Sequence, residues 1–286
     1  MKVLISTDTS AVLTYDVFKK NELSVFPLNV IVDGVEYLDG VTIDQDTLCK
    51  AMRSGKSIKT STPPLGEVIE YFEKLFAEGY DQIIHFTISS KLSSMNELFS
   101  NVAKEHFAGK LFVVDSYSLS TAMLSQVLYA SEEVKKGTPV EQILAELENR
   151  KLVNKIVFIP ENLTALKNGG RISPAIALIG NVLGIKPTIS LTDGELQKEG
   201  TTKQVRKFII ESAEKFYGEF SPEEYDYTLI NFDGKVEVLD YISKDIIGVR
   251  CDGIEMKIVE CTQYNYRFCW IIGSGKTPIE YAESYF

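Results

Sequence analysis

What most constrains this chain is the regular alternation of short apolar runs with helix-period segments through its first half. The run from Val3 to Ser6 ends in the polar loop Thr7-Asp8-Thr9-Ser10, and Val25 to Val32 is a second candidate strand. Leu65, Val68, Ile69, Phe72, Leu75 and Phe76 fall on one helical face, and Gly79 stops that helix. Gln82 to Ile88 then reads as a buried strand, followed by a hydroxyl-rich loop and a helix through Phe99 and Val102. Leu111 to Val114 is the next strand, and the helix after it reaches about Lys136. Strand–helix alternation of this kind specifies βαβ units and a parallel sheet covered by helices, so the fold class is α/β.

Thr138-Pro139-Val140-Glu141 has the pattern of a capped helix start, and that helix ends near Arg150. A strand follows at Lys155 to Ile159, and the chain is long enough for two domains at ~150 residues each. We therefore expect an N-terminal parallel-sheet domain over 1–153 and a C-terminal α/β domain over 154–286. In the second half, Asn168-Gly169-Gly170-Arg171 is a glycine turn and Ile185 to Leu191 a strand running into the turn Asp193-Gly194. A helix is expected from about Thr202 to Tyr217, with strands near Tyr227 to Phe232, Glu255 to Glu260 and Phe268 to Ile272.

Charge and composition narrow the function. The net charge is -10, which disfavours non-specific binding to nucleic acid or adhesion to anionic lipid. The apolar stretch Ala175 to Ile185 is interrupted by Gly180, Asn181 and Gly184, too short and too broken for a membrane span of ~20 residues. The N-terminal run meets Asp8 too early for a signal-peptide core, so a cytoplasmic location is expected. Cys49, Cys251, Cys261 and Cys269 lack metal-site spacing and read as reduced residues. With only His85 and His106, a histidine-rich metal site is excluded. His85 lies in an apolar strand and is expected to be a core residue.

In open α/β sheets, ligands bind outside the carboxyl ends of the strands. The loops expected there are rich in hydroxyls: Thr7 to Ser10, Ser89 to Ser94, and Asp115-Ser116, with Lys59-Thr60-Ser61-Thr62 before a helix. Helix capping explains some of them singly; Ser94-Met95-Asn96-Glu97 fits a capping box. Together they suit an anion, because hydroxyls and helix-start amides both donate. Gly273-Ser274-Gly275-Lys276-Thr277 fails as a phosphate loop, since Trp270 stands where that motif needs glycine. No nucleophile elbow, paired-carboxylate signature or metal cluster stands out.

Eight segments in order carry a resemblance: Ser6-Thr7-Asp8-Thr9-Ser10-Ala11; Pro27-Leu28; Tyr37-Leu38-Asp39-Gly40; Lys59-Thr60-Ser61-Thr62-Pro63; Ile88-Ser89-Ser90-Lys91-Leu92-Ser93; Val114-Asp115-Ser116; Leu166-Lys167-Asn168-Gly169-Gly170-Arg171-Ile172-Ser173; and Ile185-Lys186-Pro187. In them the chain resembles the DegV family of bacterial fatty-acid-binding proteins. The resemblance implies a two-domain α/β fold with a long-chain fatty acid buried between the domains and no other cofactor. It implies that the carboxylate is held by Thr60 or Ser61 and by Ser93, with Ser94 beside them. It further implies a non-catalytic role: presenting the acyl carboxylate to an ATP-binding kinase subunit that makes acyl phosphate for phospholipid synthesis.

The best basic candidates for docking that partner are Arg171, in the glycine turn, and Lys203, Arg206 and Lys207 on the following helix. The sequence departs from the family pattern where Leu92-Ser93-Ser94-Met95 replaces Leu-Ser-Gly-Thr, where Thr60-Ser61-Thr62-Pro63 replaces Thr-Ser-Gln-Pro, and where Ile271 occupies the place of a histidine near the C-terminus. The alternative reading is an enzyme acting on a small phosphorylated or carboxylated metabolite in the same crevice, with Asp8 or Asp115 as base.

Overall fold

The computed structural model describes residues 1–11, 18, 22–160, 163, 166–167, 169–172, 184–205, 207–208, 211–212, 215, 226–231, 257–260 and 266–273. The chain divides into two compact units, Met1–Leu152 and Val153–Phe286.

The first unit is built on a four-stranded sheet of β1 (Val3–Asp8), β2 (Ser24–Phe26), β6 (Gln82–Thr87) and β7 (Leu111–Asp115), in the order β2-β1-β6-β7. Every pairing in it is parallel. Buried strands need apolar residues on both sides, and β6 supplies them: all residues from Ile83 to Thr87 are buried. One face is covered by α2 (Leu65–Ala77) and α3 (Met95–His106), whose Val68, Phe72, Leu75, Phe99 and Val102 pack on Leu4, Ile83 and Leu111. Phe26, Phe72 and Phe99 meet edge to face, a favoured arrangement for aromatic pairs. Helix α4 (Ser120–Lys136) packs along β1 and the 3-10 turn Thr9–Ala11, and α5 (Val140–Arg150) packs on α4.

The structure departs from the sequence reading after β1. The expected single strand Val25 to Val32 is two strands in two sheets. Pro27 has no N–H for a ladder and a fixed φ, and the chain turns there from β2 into β3 (Asn29–Val32). Strand β3 lies between β4 (Val35–Leu38) and β5 (Ile58–Ser61) in a small antiparallel sheet. Asp33 and Gly34, both at positive φ (49° and 86°), form the two-residue turn from β3 to β4, as the right-handed twist of a hairpin requires. Helix α1 (Gln45–Arg53), capped by the Asp44 side chain on Thr47 N–H, connects β4 to β5.

Two expected caps are also corrected. Ser94 occupies the position before α3 but makes no capping hydrogen bond. Pro139, rather than Thr138, directly precedes α5, and the Thr138 hydroxyl donates to Glu133 instead.

The second unit contains a mixed sheet of β8 (Lys155–Pro160), β9 (Lys186–Thr192), β10 (Glu195–Thr202), β11 (Asp226–Asn231), β12 (Lys257–Glu260) and β13 (Tyr266–Gly273), in the order β10-β9-β8-β13-β11-β12. Its pairings are antiparallel except β11 with β12. The Asp193-Gly194 turn is present as expected, closing β9 onto β10 with both residues at positive φ. Strand β10 runs through Thr202, so the helix expected from there begins later; residues 205, 207–208, 211–212 and 215 are helical. Thr277-Pro278-Ile279-Glu280, whose pattern predicts a proline-opened capping box at the start of a final helix, lies outside the described residues.

Candidate functional site

The parallel sheet delivers three loops to one edge, after β1, β6 and β7. The loop after β6, residues 88–94, sits between the other two and is held by a run of consecutive amides. Ile88 N–H donates to Asp8 Oδ2 at 3.0 Å, Ser89 N–H to the Ser118 carbonyl at 2.9 Å, and Ser90 N–H to Asp115 Oδ1 at 3.1 Å. Lys91 N–H donates to Ser89 Oγ at 3.3 Å, and Leu92 and Ser93 N–H both donate to the Ser89 carbonyl. Asp8 is the last residue of β1 and Asp115 the last of β7, so the two flanking strands grip the loop from either side.

Asp8 is fully buried. Its Oδ1 accepts the N–H of Ser10 at 2.8 Å and the Ser10 hydroxyl. Burial is the main reason its pKa rises, to about 6; the donors from Ser10 and Ile88 pull the other way, and the nearby Asp39 carboxylate raises it further. Asp115 uses one oxygen, Oδ1, for both Ser90 and Tyr117 N–H.

At the end of this loop the half-buried Ser93 accepts Met95 N–H on Oγ at 3.3 Å. It thus does the capping expected of Ser94, and the Ser93 hydroxyl proton remains available for an acceptor. Ser94 Oγ lies 2.9 Å from Thr62 Oγ1, an exposed pair that joins the loop after β5 to the loop after β6. Two of the expected hydroxyl loops are therefore side by side.

Thr60 and Ser61 do not act as a pair. Side chains alternate along a strand, and the register sets Thr60 opposite Val30 and Ser61 opposite Asn29. Ser61 donates to Glu36 Oε1 at 3.1 Å, on the face where Asn29 Nδ2 also reaches Glu36. Thr60 is exposed on the other face.

Sequence reasoning missed a further polar group beyond β7. Ser118 and Ser120 are 0% and 2% exposed, and their hydroxyls, Thr121 Oγ1 and Gln126 Oε1 are buried without a protein partner. Gln126 Nε2 donates to the Ser116 carbonyl at 2.9 Å, so this group lies beside the same loop. The serine alternation Ser116-x-Ser118-x-Ser120 was the available signal.

His85 is a core residue as expected. Burial lowers its pKa to about 3, so it is neutral. Among the described residues, no group of three or more His, Cys, Asp or Glu is placed to hold a metal, and no helix is long and apolar enough to cross a membrane.

Of the basic candidates, Arg171 is exposed after the Gly169-Gly170 turn and donates from Nη1 to the Gly169 carbonyl at 2.6 Å. Lys203 is exposed, and Lys207 lies 3.6 Å from Glu211. Arg206 lies outside the described residues, and Ile271 falls within β13.

Comparison with known proteins bears on this site. A family model described as "Uncharacterised protein, DegV family" matches residues 2–257. A DegV domain-containing protein of Staphylococcus aureus (strain N315) is 32% identical over 197 residues, 68% of this chain and 70% of that protein. A structure described as fatty acid binding of a DegV family protein from Thermus thermophilus superposes with a TM-score of 0.83 at 24% identity, covering 96% of this chain and all (100%) of that one. A stearic acid-binding protein from Eubacterium ventriosum superposes with a TM-score of 0.79 at 22% identity, covering 95% of this chain and 98% of that one.

Proposed function

The chain belongs to the DegV family, and on that premise we propose that it binds a long-chain fatty acid and presents the carboxylate to an ATP-binding kinase subunit. Ser93 and Thr60 donate to its carboxylate. The observation that carries this reading is the Ser93 loop: a half-buried hydroxyl with a free proton, on a loop whose amides are already engaged, beside the Thr62–Ser94 pair. The solved relatives described as binding fatty acid or stearic acid support the ligand class.

A buried carboxylate needs charge-assisted hydrogen bonds, because an unpaired charge is very costly to bury. With Ile271 in the place of the family histidine, hydroxyls carry that duty. Burying ~15 methylenes at ~0.8 kcal/mol each gives about 12 kcal/mol gross. Ordering and association costs take back a large share, and tight binding remains. The rival reading needs Asp8 or Asp115 as a base, yet Asp8 has both oxygens engaged by backbone amides and Asp115 holds two amides on its Oδ1. That supports a carrier without catalysis of its own; the same reading has it working in the cytoplasm, with Arg171, Lys203 and Arg206 as the docking surface for the kinase. Displacement titration of a fluorescent fatty acid by oleate tests the ligand: we expect saturable one-site binding, and failure to take up either lipid overturns the reading.

A further inference from the structure

We propose that Asp8 is a positioning residue for the ligand site: by accepting Ile88 N–H while anchored to Ser10, it fixes the loop that presents the Ser93 hydroxyl before any ligand arrives. This inference rests on the reading of Ser93 as a carboxylate donor. Four residues separate Ile88 from Ser93, and every amide from 88 to 93 is engaged within the loop or with its two neighbours. A hydroxyl on a loop already ordered loses less entropy on binding than one on a loop that the ligand must order.

The two clamping carboxylates differ in a way that makes the proposal testable. Asp8 uses both oxygens, Oδ1 for Ser10 and Oδ2 for Ile88. Asparagine has one acceptor and one NH2, so in Asp8→Asn an N–H must face either Ser10 or Ile88, and one tie breaks. Asp115 uses Oδ1 alone for both of its amides. The carbonyl of asparagine can take over both bonds, so Asp115→Asn should do less damage.

The experiment is an oleate titration on wild type, Asp8→Asn, Asp115→Asn, Ser93→Ala and the double variant Asp8→Asn/Ser93→Ala, with amide hydrogen exchange of residues 88–93 in the unliganded wild type. We expect Asp8→Asn to weaken binding about tenfold and Asp115→Asn about two- to threefold. In the Ser93→Ala background, Asp8→Asn should cause no further loss, because its effect passes through Ser93. An equal loss in both backgrounds, or full affinity in Asp8→Asn, overturns the proposal. Exchange decides the matter even if Asp8→Asn does not fold. Protection of the Ile88 and Ser90 amides by about a hundredfold without ligand is expected, and a loop protected only with oleate contradicts it. If wild type takes up no oleate, the fatty-acid reading fails on its own, and the exchange result still reports whether the loop is fixed.

Discussion

The imidazole of His85 lies flat on the ring of Phe99, with centroids 4.6 Å apart and 9° between the planes. Its Nδ1 is 2.9 Å from Ser6 Oγ, which continues through Tyr71 OH to Ser24. This buried chain of polar groups runs through the core beneath the site, and Asp8 closes the sheet edge two residues beyond Ser6. The two titratable groups have opposite effects on stability.

In the unfolded chain His85 takes a proton below about pH 6.5; folded, it resists until about 3. Its contribution is therefore present above pH 6.5 and lost as the pH falls. Folded Asp8 keeps its proton up to about pH 6, whereas unfolded it releases it near 3.8. Its contribution is present at low pH and lost as the pH rises through 6. Each pH unit is worth about 1.4 kcal/mol, so between about pH 4 and 6 the two slopes offset. Denaturant titrations should show the deficit of Asp8→Asn relative to wild type growing by roughly 3 kcal/mol from pH 7 to 4, and that of His85→Gln shrinking by a similar amount. Deficits independent of pH would contradict both assignments.

Ser93→Ala and Thr60→Val should each weaken fatty-acid binding about 10- to 150-fold, the worth of one hydrogen bond to a charged group at roughly 1.5–3 kcal/mol. Ser61→Ala should change affinity less than about threefold, since its hydroxyl already serves Glu36 on the opposite face. The check is a displacement titration beside a melting curve for each variant.

Ser94→Ala should cost about 0.5 kcal/mol or less, because it loses an exposed hydroxyl pair and no helix cap. Ser93→Ala should cost about 1 kcal/mol, because Met95 N–H loses its acceptor. Thermal unfolding of the two variants orders them directly, and the reverse order would return the cap to Ser94.

Arg171→Glu should lower kinase-dependent acyl phosphorylation about tenfold or more while the lipid content is kept, as expected for charge reversal in a docking surface. Loss of bound lipid or of the folded state would instead make the Arg171 bond to the Gly169 carbonyl its main role.

The parallel sheet was legible because buried strands such as Ile83–Thr87 and amphipathic helices such as Leu65–Ala77 have unmistakable periods. The small sheet of β3, β4 and β5 was not. Its strands are only four residues each, β4 and β5 are half exposed, and the Asp33-Gly34 turn was the one strong sign of it. The hydroxyl loops were legible as a set, but not their partners: which of Thr60 and Ser61 shares a face with Glu36 depends on register, and Ser93 displaced Ser94 as the cap through backbone geometry that spacing does not encode.

Native mass spectrometry of the purified protein, followed by lipid extraction, tests the central claim most directly. The account predicts a single bound molecule with the mass of a long-chain fatty acid, released on unfolding. A protein that is empty as purified and stays empty after incubation with oleate would contradict it.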